Sequence, residues 1–205
     1  MASPTFSVEN VLASLRSPGF YSEADPEVGE RASEQFHNET TEPGLKFFED
    51  NFVKNERIAG VLKALFPHCY LIAYRKFAND PTRVFQFRRG GAKADGEIVV
   101  LLWPPGSEVI YYSDSLSHDT LQHAVTHDNG LWRVAEAALA KLGKGTRIPL
   151  KQGGLTIHDG RTLVTFHSGR PIAASFAGKE FLKKWDWTMV KRRVEFPSTV
   201  EGIRQ

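Results

Sequence analysis

The amino-acid sequence predicts an α+β, mainly β fold: a double-stranded β-helix, or jelly roll, with N-terminal and C-terminal helical buttresses. Apolar residues recur at helical spacing through the first third of the chain, whereas short β-branched and aromatic runs separated by Gly, Pro and Asn fill most of the rest. The chain also carries 14 Phe, 5 Tyr and 4 Trp, which suit the interior of a sandwich or barrel. Helices followed by about eight strands are typical of a buttressed jelly roll.

The 205 residues are expected to form a single domain, 1–205, because this length supports one full hydrophobic core. Within it we expect a helical and loop buttress at 1–66, a jelly-roll core at 67–178, and a C-terminal helix and tail at 179–205. The single cysteine excludes an intramolecular disulfide. With no charged-then-apolar leader and no apolar run of membrane-spanning length, the chain is expected to be cytoplasmic and free of the membrane.

The first third is predicted to be largely helical. Ser7 is a suitable N-cap for a helix over VENVLASLRS, which stops at Pro18 and Gly19. Residues 19–44 are polar and interrupted by Pro and Gly, so we expect them to run over the surface. Residues 45–66 repeat apolar side chains at helical spacing, which predicts one long or two short helices packed on a sheet.

From residue 67 the apolar pattern changes to that of strands. The predicted strands lie in the runs CYLIAYRKF, RVFQFRR, EIVVLLW, EVIYYS, TRIPLK, LTIHD, TLVTF and PIAASFA. A helix is expected in the insert LWRVAEAALAKLG, ended by Gly143. A last helix, with or without a turn, is expected in GKEFLKKWDWTMVKRR.

The formal net charge of +2 is unevenly distributed along the chain. Residues 1–50 carry ten acidic and three basic residues, whereas residues 51–205 carry fourteen acidic and twenty-three basic ones. A basic body can attract anions or nucleic acid. Because these bases are spread through strands rather than clustered, nucleic-acid binding is not expected.

Two stretches resemble the Fe(II)/2-oxoglutarate dioxygenase superfamily, and within it the phytanoyl-CoA-hydroxylase-like branch. PPGSEVIYYSDSLSH resembles a strand and turn of that family, and GGLTIHDGRT resembles the strand that carries its distal histidine. The likeness covers roughly residues 70–178 and implies ferrous iron held by two His and one carboxylate. It also implies an Arg or Lys that pairs with the far carboxylate of 2-oxoglutarate.

Matched to this family pattern, two of the three metal ligands are missing. Lys93 takes the first His position, Asp95 keeps the carboxylate, and Val164 falls at the distal His position if Gly153 marks the start of the strand. An ammonium is a poor ligand for a cation. The resemblance therefore implies vestigial positions at Lys93, Asp95 and Val164, and no metal or cofactor in this chain.

The alternative is an active oxygenase that binds Fe(II) and 2-oxoglutarate through shifted ligands. His158 and His167 lie near the expected distal position, so either is a candidate ligand together with Asp95. Arg170 and Arg161 are the bases nearest the family's carboxylate clamp and are candidate contacts for an anion or 2-oxoglutarate. Ordinary strand-face positions are the simpler interpretation of the two histidines, whereas for Arg170 an anion contact and a solvated turn position stay equally open.

Lys93 allows two further interpretations. Burial in the former metal pocket would make its amine a candidate base in a metal-free isomerase or cyclase. Residues two apart on a strand share a face, so Lys93 could instead form a salt bridge with Asp95 where iron once sat.

The histidines at 118–127 and the single cysteine are two further candidates for chemistry. His123 and His127, four apart in HDTLQHAVTHD after His118, would share one face of a helix where zinc can bind. No glutamate base lies between them, so solvated histidines are the simpler interpretation. Cys69 is predicted to be a buried structural cysteine.

The C-terminal segment FLKKWDWTMVKRR mixes Phe181, Trp185 and Trp187 with five basic residues, a composition typical of protein interfaces. In the alternative interpretation, the tryptophan rings pack this segment on the barrel. The chain also resembles small fungal dioxygenase-like proteins, including accessory subunits of heterodimeric meroterpenoid oxygenases. This resemblance implies a non-catalytic subunit that binds a related catalytic non-haem iron/2-oxoglutarate oxygenase in fungal terpenoid metabolism. Whether the chain is itself an enzyme stays open.

Overall fold

The structure is a computed structural model that describes residues 6–34, 41–88, 96–116, 125–126, 131–134, 139, 143–183 and 192–193. Across these ranges, twelve strands form two six-stranded antiparallel sheets, and helices cover one face of the first sheet. The predicted α+β, mainly β jelly roll with helical buttresses is confirmed.

The strands alternate between the two sheets along much of the chain. They are β1 Phe20–Ala24, β2 Cys69–Lys76, β3 Phe85–Gln86, β4 Glu97–Trp103, β5 Ser107–Tyr112, β6 Val125–Thr126, β7 Trp132–Arg133, β8 Thr146–Leu150, β9 Gly154–Asp159, β10 Leu163–Ser168, β11 Ile172–Gly178 and β12 Arg192–Arg193. The first sheet has the order β1-β9-β4-β11-β2-β12, and the second has the order β6-β7-β3-β10-β5-β8. Because β8, β9, β10 and β11 change sheet at every connection, the two sheets close over a shared interior.

Five helices and two short turns are described. They are α1 Val8–Arg16, α2 Pro26–Ser33, α3 Glu42–Phe48, a π-helical turn Glu49–Val53, α4 Glu56–Leu65, a 3-10 turn Ser113–Leu116 and α5 Lys179–Lys183. The predicted N-cap is confirmed, since Ser7 Oγ accepts a hydrogen bond of 3.1 Å from Asn10 N. No described helix is both long enough and apolar enough to cross a membrane.

Apolar side chains form two layers, one on each face of the first sheet. The outer layer joins the helices to the sheet and includes Phe48, Phe52 and Ile58 from the predicted helical segment 45–66. The inner layer fills the barrel with large rings, among them Trp103 and Tyr111. All seven residues of β4 are buried because both faces of this central strand are covered.

Three sequence expectations about elements are corrected. Residues 19–44 do not simply run over the surface, because they contain α2 and β1, and β1 pairs along its full length with β9. The expected 1–66 buttress therefore supplies a strand to the barrel. The insert expected to be helical begins with β7; residue 139 is helical, and residues 135–138 and 140–142, where most of the expected helix falls, lie outside the described ranges. In the C-terminal segment, α5 is followed by β12, which pairs with β2.

Candidate functional site in the barrel interior

The inner face of the first sheet carries a small polar cluster in an otherwise apolar surface. Glu97 lies two residues before Val99 on β4, so the two side chains share a face. His158 on β9 and Ser175 on β11 are the cross-strand partners of Val99. Glu97, His158 and Ser175 are 2%, 0% and 1% exposed. Buried polar groups at one end of a barrel form the candidate site of this protein.

A hydrogen-bonded chain of four side chains crosses the interior beside this cluster. Trp103 Nε1 donates to Thr156 Oγ1 at 2.9 Å, and the Tyr111 hydroxyl donates to the same oxygen at 2.8 Å. Tyr111 Oη also lies 3.1 Å from His158 Nδ1. Since the one hydroxyl hydrogen of Tyr111 is directed to Thr156, this geometry is satisfied when Nδ1 of His158 carries the imidazole proton.

His158 is held as a neutral imidazole. Complete burial lowers its pKa to about 3, and the neighbouring carboxylate of Asp159 acts in the opposite direction. Its ring lies against those of Tyr111 and Phe87, with centroid distances of 5.2 and 5.3 Å. Its Nε2 atom is buried and has no hydrogen-bond partner among the residues described.

Glu97 is a buried carboxyl group with a raised pKa. Burial raises its pKa to about 7, and the Asp159 carboxylate adds to the effect, whereas Arg88 and a hydrogen bond with Ser175 act in the opposite direction. Within the described ranges, its Oε2 atom has no hydrogen-bond partner. At neutral pH a substantial fraction of Glu97 is therefore protonated and able to donate a proton.

Charged residues at the β9–β10 turn close this end of the barrel. Arg161 forms a two-pronged pair with Asp159, with Nε to Oδ1 and Nη2 to Oδ2 both at 2.8 Å. Burial alone would raise the pKa of Asp159, but the hydrogen bonds and charge of Arg161 outweigh it and lower the pKa. Arg88 lies 3.9 Å from the same carboxylate, and the backbone N–H groups of Phe87 and Arg88 both donate to Gly160 O.

The family-matched positions are only partly within the described structure. Val164 is fully buried on β10, next to Phe85 and Tyr111 in the strand register, and belongs to the apolar interior. Lys93 and Asp95 lie outside the described ranges. Their assignment as vestigial metal positions therefore stays a prediction.

The two alternative histidine ligands lie at opposite ends of the barrel. His158 ends β9 beside the turn, whereas His167 lies near the far end of β10, which leads away from that turn. His167 is 38% exposed and lies 3.6 Å from Glu108. Only His158 is thus placed in the candidate site.

The two candidate anion contacts are also separated. Arg161 does not offer a free clamp, because its guanidinium is engaged with Asp159. Arg170 is exposed and lies close enough to Lys76 that burial and the Arg170 charge together lower the lysine pKa. Arg170 precedes β11, whose first residue is Ile172. It therefore lies at the end of the barrel away from His158.

Phe181, one of the three candidates for a partner interface, is buried against residues of its own chain. It is 6% exposed, packs with Ile72 and Ala177, and lies under the guanidinium of Arg88 at 5.3 Å. The other interface candidates, Trp185 and Trp187, and the candidate zinc ligands, His123 and His127, are outside the described ranges. Cys69 is buried, which raises its pKa to about 12, in agreement with the structural role predicted for it.

Several residues of the site were missed in the sequence. Glu97 opens the otherwise apolar run EIVVLLW, and a carboxylate in a strand covered on both faces was an available signal. Tyr111 and Thr156 gave no comparable signal, since both are common strand residues.

The fold raises the question of whether this site fits iron. Among the described residues, no group of three or more His, Cys, Asp or Glu side chains is arranged to hold a metal ion. His158 Nδ1 is engaged with Tyr111, and both oxygens of Asp159 are engaged with Arg161. The described residues therefore do not fit a three-ligand iron centre, and they leave no free arginine inside the barrel as a 2-oxoglutarate clamp.

Comparison with known proteins supports the fold and leaves the family open. No protein-family model matches the chain, and no curated protein matches it in sequence. A solved structure, that of the epimerase SnoN in complex with Fe3+, alpha ketoglutarate and nogalamycin RO, is similar with a TM-score of 0.53 and 14% identity. The match covers 97% of this chain and 93% of that one. At this identity the likeness shows a shared jelly-roll architecture.

Proposed function

We propose that this chain is a dioxygenase-like jelly-roll protein without an iron centre, and that it acts as a cytoplasmic, non-catalytic accessory subunit. Its partner would be a related catalytic non-haem iron/2-oxoglutarate oxygenase, bound as a heterodimer. By the sequence resemblance, we propose that this pair works in fungal terpenoid metabolism. The filled barrel interior is the observation that carries the proposal.

The interior supports this proposal because, among the residues that the structure describes, large aromatic side chains of the chain itself pack closely there. Trp103, Tyr111 and Phe166 are at most 1% exposed, and Phe20 stacks on Tyr111 with ring centroids 4.4 Å apart. The structure of SnoN, with the same architecture, is a complex with Fe3+ and alpha ketoglutarate. A barrel whose interior is packed with aromatic rings suits a non-catalytic subunit, because a close-packed core is rigid without a bound ligand.

Anaerobic titration with Fe(II), with and without 2-oxoglutarate, tests the metal-free half of the proposal. We expect no stoichiometric binding by calorimetry. Tight one-to-one binding that 2-oxoglutarate strengthens would overturn the proposal and favour the shifted-ligand oxygenase. In that case His158→Ala should abolish binding and His167→Ala should not, because only His158 lies in the candidate site.

The partner half is tested by mixing the chain with jelly-roll oxygenases encoded by the same genome. We expect a one-to-one complex in size-exclusion chromatography with light scattering, and faster turnover by the oxygenase. Reversing charge with Lys184→Glu and Lys191→Glu, beside Trp185 and Trp187, should abolish the complex, whereas Lys144→Glu and Lys93→His should leave it intact. A chain that turns over substrate alone and loses that activity in Lys93→Ala would contradict the proposal.

Glu97 favours a second candidate function, a metal-free isomerase or cyclase. Its pKa of about 7 lets it donate and accept a proton near neutral pH. Neutral His158, on the same inner face, offers its unprotonated Nε2 as a hydrogen-bond acceptor. If this is the function, Glu97→Gln should abolish turnover by the isolated chain while its fold is retained.

A further inference from the structure

Two basic residues meet at the end of the barrel where β2 ends and β11 begins. Lys76 is the last residue of β2 and pairs in register with Ile172, the first residue of β11. Phe77 N donates to Pro171 O at 2.9 Å, so this pairing continues beyond the ends of both strands. The continued pairing places Arg170 diagonally opposite Lys76, at a separation that long side chains can span.

The two basic residues follow the outer face of the first sheet, which the helices cover. Tyr74, two residues before Lys76, and Ile172, two residues after Arg170, both pack in the outer apolar layer. Alternate residues of a strand share a face, so this register directs Lys76 and Arg170 away from the barrel interior. Lys76 is half-buried and Arg170 is exposed. An ion in solvent can therefore reach both side chains.

The charges around this pair favour an anion. Burial lowers the pKa of the Lys76 ammonium, and the positive charge of Arg170 lowers that pKa further. In the described part of the chain, neither side chain forms an ion pair or a hydrogen bond. The first carboxylate after β2, that of Asp80, lies 3.5 Å from Arg83 instead. Two like charges on neighbouring strands repel each other, and an anion between them relieves that repulsion.

We propose that Lys76 and Arg170 together bind a small oxyanion of the phosphate or carboxylate class. The guanidinium can donate to two oxygens of one anion, and the ammonium adds a compact positive charge. The site lies outside the barrel, so it differs from a 2-oxoglutarate clamp at an iron centre. It uses neither His158 nor the partner proposed above, so either proposal can fail without the other.

Titration of the full chain with inorganic phosphate, followed by amide chemical shifts at constant ionic strength, tests this site. We expect a dissociation constant of about 1–10 mM, since two contacts to a strongly hydrated ion seldom give tighter binding. Shifts should concentrate at residues 75–78 and 169–172. A parallel titration with succinate distinguishes the two sources of oxyanion, because the anion that binds more tightly assigns the class of the natural ligand.

Variants locate the binding. Lys76→Gln and Arg170→Gln should each weaken phosphate binding about tenfold, because each removes one charged donor. Arg170→Lys keeps the charge and should recover part of the affinity. Lys144→Gln makes the same charge change at an exposed position before β8 of the second sheet, and should have no effect. Unchanged affinity in Arg170→Gln, an equal loss in Lys144→Gln, or no binding at all would overturn the proposal.

Discussion

At the scale of single residues, the unusual feature of this protein is a buried polar cluster on the inner face of the first sheet. The buried atoms without partners among the described residues include Glu97 Oε2, His158 Nε2 and both polar atoms of the Gln86 amide. Each such group costs about 1–3 kcal/mol relative to one that is satisfied. Natural proteins keep few of these groups, and they concentrate where function demands them.

The titration of Glu97 predicts how stability depends on pH. Its pKa is about 7 in the folded chain and 4.5 in the reference state, so the unfolded chain releases this proton first as pH rises. Glu97 should therefore lower the free energy of unfolding progressively between pH 4.5 and 7, by at most about 3 kcal/mol. Measured by denaturant unfolding, the free energy of unfolding should fall less between pH 5 and pH 8 in Glu97→Gln than in the wild type. Exposed Glu9→Gln should behave like the wild type.

Removing the Tyr111 hydroxyl should destabilise the fold. Tyr111→Phe leaves His158 Nδ1 without its partner in the interior, and the expected loss is about 1–3 kcal/mol in the free energy of unfolding. Tyr112→Phe, the same change at the adjacent half-buried position, should cost less than about 0.5 kcal/mol. Equal effects of the two substitutions in urea unfolding would contradict the buried network.

At the scale of elements, two glycine-containing turns precede strands of the barrel, and one of them packs against a helix. Gly153, just before β9, has a φ of +81° and lies against Gly29 of α2. Gly106, in the β4–β5 turn, has a φ of +77° and open space around it. The sequence indicated turns at both glycines, but the contact with α2 is a property of the packed structure.

These two glycines form a matched pair for mutation. Gly106→Ala should cost only the strain of the left-handed backbone, about 1–2 kcal/mol. In Gly153→Ala the new methyl group would lie 2.3 Å from Gly29 Cα and 2.6 Å from Trp103 O, so the loss should be larger by about 1–3 kcal/mol. Thermal unfolding of the two variants checks this order, and equal losses would mean that α2 does not pack closely on the turn.

At the scale of the whole molecule, the N-terminal region is part of the barrel. Phe20 on β1 lies beside His158 in the strand register and stacks on Tyr111 of the opposite sheet. Arg57 of α4 also binds the β1 region, with an ion pair of 3.2 Å to Glu23 and a second pair to Asp25. Glu23 and Asp25, two of the acidic N-terminal residues, therefore have a partner within the same chain.

Truncating the Phe20 side chain tests whether β1 is an integral part of the barrel. Phe20→Ala should lower the free energy of unfolding by about 3–5 kcal/mol, as for a ring in a packed core. Phe6→Ala removes a partly buried ring that contacts Tyr21 from outside the barrel, and should cost less than about 2 kcal/mol. Similar small losses for both in chemical denaturation would show that β1 is peripheral.

The sequence by itself determined the fold class, the helical face of residues 45–66 and most strands of the barrel. It did so because the spacing of apolar residues and the positions of turn residues are local signals. The spacing also predicts which face of each helix or strand is buried. It did not reveal β1, since a five-residue edge strand in a polar segment has little periodicity of its own. Its pairing with β9 is what stabilises it.

Only the tertiary structure decided which polar residues meet. Tyr111 and Thr156 are 45 residues apart in sequence, and Trp103 and Thr156 are 53 apart. Such contacts depend on how strands from two sheets align across the interior, and a shift of one residue would turn every side chain to the other face. By contrast, the pair between Arg161 and Asp159 is local, since the two residues are two apart in the β9–β10 turn.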